Sequence, residues 1–114
     1  MAKQASTKNH YHIYVIELNP HVLQQGRFAE MNPGYSYRPD RPPLYVGMTG
    51  RTPEIRLEQH KSGYKASRYT KQNTLWLRLD LVSDIGPLLR DEAVLMEVER
   101  AKALRARGYA VWQN

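Results

Sequence analysis

Glu97 stands where a carboxylate is costly. On a helix turning about 100° per residue, Ala93, Ala101 and Leu104 fall within roughly 40° of it, so it interrupts a small apolar stripe. A charge in that position needs a paired arginine or a bound cation. Arg56 and His60 are four apart and share one helix face. Such a pair can hold a phosphate and move a proton, and it also occurs on plain solvent-facing helices. Tyr14 and Tyr45 lie inside strand-like runs. A phenol with a pKa of about 10 becomes a useful base only beside a cation or metal, and is otherwise a packing residue.

The charge around these residues is one-sided. Seventeen Lys and Arg stand against eleven Asp and Glu, a net charge of +6, and 11 of the cations are arginine. Arginine matches phosphate with a planar fork, and an isoelectric point near 9.7 is in the range of nucleic-acid-binding domains. Between Thr49 and Gln72 the basic residues interleave with Tyr64 and Tyr69, a pattern suited to backbone tracking and base stacking. Arg51, Lys61, Lys65, Arg68 and Lys71 are therefore the expected nucleic-acid contacts. The absence of cysteine excludes disulfides, thiol nucleophiles and thiolate metal sites. No apolar run approaches the roughly 20 residues of a membrane span, and residues 1–9 read as a polar tail. A soluble, cytoplasmic protein with a single domain over residues 10–114 is expected.

Strands and helices must position these side chains. His10–Leu18 reads as a central strand, because both faces carry apolar groups. Residues 19–43 form a long proline-punctuated connection with a short helix near His21–Gln25, and carry Tyr35, Tyr37, Arg38 and Arg41. A connection of this length is often functional. Leu44–Met48 is a second strand. Thr52-Pro53-Glu54 starts a helix with a hydroxyl cap, a proline and an acid, running to about Lys61 and stopping at Ser62-Gly63. Leu75–Leu81 alternates leucine with other residues, as a half-buried strand does. A long helix follows, from Leu88 or Asp91 to Arg107, and Tyr109–Trp112 is a candidate final strand. The expected fold is α+β, a small three-stranded antiparallel sheet flanked by helices.

Taken together, His12-Ile13-Tyr14, Tyr45-Val46-Gly47, the turn and helix from Gly47 to His60, and the Glu92–Glu97 block leading to Arg105 resemble the GIY-YIG nuclease family. The second triplet with its arginine helix is the specific part. Three local departures are His12 in place of the first glycine, Met48 where many relatives are polar or basic, and Gly108-Tyr109-Ala110 where an asparagine is frequent. The connection between the triplets is also longer than usual. The resemblance implies a metal-dependent endonuclease acting on DNA. Glu97 would hold one magnesium or manganese ion, Tyr14 would be the general base for the attacking water or position it, Tyr45 would assist in that pocket, Arg56 would offset phosphate charge, and His60 would contact phosphate or transfer a proton. With no attached binding domain in this sequence, a preference for single-stranded or branched substrates is expected. A nucleic-acid-binding domain of the same fold without turnover is the alternative.

Overall fold

A computed structural model describes residues 10–113, so the tail read at residues 1–9 and Asn114 lie outside the described residues. The chain forms strand β1 (His12–Leu18), a 3-10 turn (Pro20–Gln24), strand β2 (Leu44–Thr49), helix α1 (Pro53–Ser62) and helix α2 (Arg68–Asn73). Strand β3 (Thr74–Leu77), a short 3-10 turn (Leu79–Leu81), helix α3 (Arg90–Ala106) and strand β4 (Val111–Gln113) complete it. Among the described residues the sheet has four strands in the order β3-β1-β2-β4. β1 is antiparallel to both β2 and β3, whereas β4 runs parallel to β2.

The fold is α+β, but the sheet is not the expected three-stranded antiparallel one. Tyr109, Ala110 and Val111 are all buried. A chain end apolar on both faces gains most as a further strand between the layers, and α3 returns it alongside β2. The strand expected over Leu75–Leu81 ends at Leu77. Arg78 forks onto Asp80 and also reaches Glu17, and the chain turns there. Helix α2 was not expected at all. Ser67 builds it by accepting hydrogen bonds from the Tyr69 and Thr70 amides.

Two apolar layers cover the sheet. Ile13, Val15, Leu44, Val46 and Val111 pack under Ala93, Ala101 and Leu104 of α3. Tyr14, Ile16, Leu18 and Tyr45 face the opposite layer with Phe28, Tyr69 and Ala110. This alternation makes β1 a central strand in both directions, across the sheet and through it. Residues 19–43 contribute to the second layer through buried Val22 and Phe28. Buried Asn32 anchors the same segment, accepting from the Val111 amide and from Arg105 Nε.

Candidate active site and nucleic-acid interface

Register places Tyr14 opposite Gly47, and Tyr45 two residues before Gly47 on the same face. Gly47 leaves the room both rings occupy. A Cβ there would lie 2.6 Å from Tyr14 Cζ and Oη and 2.9 Å from Tyr45 Cε2. Across this gap α1 delivers His60, whose ring centroid is 5.8 Å from that of Tyr14 and 5.1 Å from that of Tyr45. The helix is held by the features read from its sequence. Thr52 caps the Ile55 amide, Pro53 occupies the first turn, and Gly63 closes the end at φ 88°, a conformation in which glycine is unstrained.

His60 hangs between two hydroxyls. Tyr14 Oη is 2.8 Å from Nε2 and Thr70 Oγ1 is 2.9 Å from Nδ1. Thr70 Oγ1 is also 3.1 Å from the Ser67 carbonyl; with its proton directed there, it accepts from Nδ1–H. Nε2 then has a lone pair for the Tyr14 hydroxyl proton. Burial, with the Arg56 charge second, brings the imidazole down to about 4, so it is neutral at physiological pH. Burial also pushes the Tyr14 phenol up; Tyr45 adds to the rise and Arg56 opposes it. Tyr14, Tyr45 and His60 are 1%, 2% and 0% exposed.

Arg56 is half-buried beside this cluster. Its guanidinium donates to Gln59 Oε1 and to the carbonyls of Tyr64 and Lys65. All three acceptors are neutral, and a phosphate oxygen is a stronger one.

Glu97 is buried at 8% exposure among Ala93, Ala101 and Leu104, on the α3 side of the sheet rather than in the tyrosine cluster. It accepts from Gln113 Nε2 at 2.8 Å. Burial raises its pKa, while the Gln113 amide and the Met48 backbone pull the other way. No cation of the protein acts on it among the described residues. The structure therefore groups Tyr14, Tyr45, Arg56 and His60, and sets Glu97 across the sheet. Adjacent residues of β2 touch each: Gly47 lies beneath the rings, and the Met48 backbone hydrogen-bonds Glu97. Among the described residues no group of three or more His, Cys, Asp and Glu side chains could enclose a metal ion. A single carboxylate without a cation partner still fits magnesium, which keeps several waters and takes further oxygens from phosphates.

Four of the expected nucleic-acid contacts gather where α1 meets α2. Lys61 lies in the last turn of α1 and is exposed beside Glu58, at 3.7 Å. Lys65 lies over the Tyr64 ring, Arg68 over the Tyr69 ring, and the Lys71 stem packs near Gly63. Arg51 sits before the other end of the ten-residue helix, about 15 Å away along its axis. Sequence reasoning missed Thr70, Gln113 and Asn32. Ser67, a favoured N-cap residue, would have located α2, but nothing local announced Gln113, whose partner Glu97 is 16 residues away, or the Asn32 Oδ1 atom, whose partners are 73 and 79 residues away. Comparison of the chain with family models, with curated proteins and with solved structures finds no match in any of the three.

Proposed function

We propose that this protein is a divalent-metal-dependent endonuclease of the GIY-YIG type that hydrolyses phosphodiester bonds in DNA, with a preference for single-stranded or branched forms. The observation that carries this reading is that the Tyr14–Tyr45–His60 cluster, with Arg56 beside it, packs on Gly47 while the backbone of the next residue, Met48, reaches the buried Glu97 carboxylate on the other side of the sheet. Bound at Glu97, a magnesium or manganese ion would polarise the scissile phosphate and stabilise the leaving oxygen. Arg56 moves from its neutral carbonyls to the phosphate, where it offsets the charge that grows in the transition state. Tyr14, its hydroxyl held at His60 Nε2, would position the attacking water. Tyr45 holds the Tyr14 ring over Gly47. A cytoplasmic location agrees with a cysteine-free chain.

One observation favours a second reading. Tyr14, Tyr45 and His60 are closed to solvent, as the core of a DNA-binding domain without turnover would be. Cleavage of end-labelled single-stranded, double-stranded and branched DNA, with magnesium, manganese or EDTA, separates the two. Metal-dependent product is expected, reduced on the order of a hundredfold or more in Glu97→Gln. A retained gel shift with no product under any metal would establish the binding domain instead.

A further inference from the structure

A cavity of about 440 Å³ opens between the Asn32–Arg38 loop and the C-terminal turn of α3. None of Tyr14, Tyr45, Arg56, His60 or Glu97 lines it, and Arg105 follows Glu97 by eight residues, about 12 Å along α3. Tyr35, Tyr109 and Gly108 line it, with Asn32 at its base and Arg38 and Arg105 among its walls. The volume is that of a small-molecule site.

Arg105 is the unusual wall. Its Nε donates to Asn32 Oδ1 at 3.1 Å and Nη2 to the Val111 carbonyl at 2.9 Å. Nη1 has no hydrogen bond among the described residues, and no acidic group acts on this half-buried guanidinium, which burial alone perturbs. Basic residues in a last helical turn offset the dipole, which accounts for charge at that end but not for a cavity beside it. Nearby, Arg41 stacks on Tyr109 and bonds the Arg107 carbonyl. Asp40 is the acid of this corner, and Arg38 and Arg41 already hold it at 2.9 and 3.6 Å.

We propose that this cavity binds a nucleotide, its phosphate on Arg105 and Arg38 and its ring against the tyrosine-lined wall. A guanidinium fixed by two neutral acceptors is pre-aligned for an anion and lacks one. The ring system supplies the apolar remainder that a simple anion would leave unfilled. A free mononucleotide and the terminal nucleotide of a strand share this chemistry.

The full chain would be titrated in EDTA with thymidine 5′-monophosphate, thymidine and inorganic phosphate, following backbone amides and arginine Nε–H groups by NMR. The monophosphate is expected to shift Arg105 Nε–H and the Gly34 and Gly108 amides, and to bind about tenfold more tightly than thymidine or phosphate. Arg105 supports Asn32 and Val111, so its loss would endanger the fold. Ser36→Trp, which fills the cavity from its exposed rim, and Arg38→Gln, which breaks only an exposed pair, serve instead. Each should weaken the monophosphate about tenfold with an unchanged melting temperature. Displacement by a 5′-phosphorylated oligonucleotide, but not by its 5′-hydroxyl form, would assign the site to strand ends, and displacement by neither to free nucleotides. No shift at Arg105, undiminished binding in Ser36→Trp, or tighter binding of a phosphotyrosine peptide would overturn the proposal. Neither metal nor cleavage enters this titration, so it fails separately from the nuclease reading.

Discussion

The two titratable residues nearest the proposed chemistry, His60 and Glu97, respond to burial with opposite signs. For His60 the folded state refuses a proton that the unfolded chain binds. Its contribution to stability is present above pH 6.5 and is lost as pH falls towards about 4. Over that window the loss should approach roughly 3 kcal/mol, measured by urea unfolding at a series of pH values, and should be absent in His60→Gln. A flat profile in the wild type would show an imidazole that charges freely. For Glu97 the folded pKa is raised above 4.5, so its contribution is full below that pH and is lost as pH rises through the folded value. A cation bound there reverses the loss. Magnesium at pH 8 is therefore expected to raise the melting temperature of the wild type over that in EDTA, and to leave Glu97→Gln unmoved. Equal shifts in both proteins would place the ion elsewhere.

At the scale of elements, the β2 strand and its turn do most of the positioning. Gly47 is glycine for space, since any Cβ meets two tyrosine rings. Gly47→Ala should cost about 1–3 kcal/mol by overpacking and alter the near-ultraviolet circular dichroism of the tyrosines; an unchanged spectrum would mean the rings are not held there. The boundaries of α1 and α3 were legible in sequence because caps and stripes are local. Thr52, Pro53 and Gly63 stand where the sequence put them, and Glu97 does lie among Ala93, Ala101 and Leu104. The strand over Leu75–Leu81 was overread because alternation reports burial on one side, whereas Arg78 and its two acids bend the chain. β4 is short and parallel, and three residues hold too little pattern to declare a partner.

At the scale of the whole molecule, two groups of basic residues stand apart among the described residues. Lys61, Lys65, Arg68 and Lys71 share the α1–α2 corner with two tyrosines, while Arg38 and Arg105 line a separate cavity. If those four residues each engage a phosphate, log K against log salt for single-stranded DNA should have a slope of about −3. Replacing Lys65 or Lys71 by glutamine should lower its magnitude by about 0.7. A slope unaffected by either substitution would move the nucleic-acid surface away from this corner. No helix among the described residues is long and apolar enough to cross a membrane.

Composition, periodicity and capping determined by themselves the α+β class, the central place of β1, the bounds of α1 and α3 within a residue or two, and the oddity of Glu97. Those properties depend on neighbours within a turn or a strand, which the chain carries locally. Tertiary structure alone decided that His60 is buried rather than surface-exposed and that it lies between the Tyr14 and Thr70 hydroxyls. It also decided that Glu97 lies across the sheet from the tyrosines, with Gln113 for a partner. Each of these depends on which distant segment arrives in the same few ångströms, and burial, which sets the charge of a histidine or a carboxylate, exists only once those segments have met.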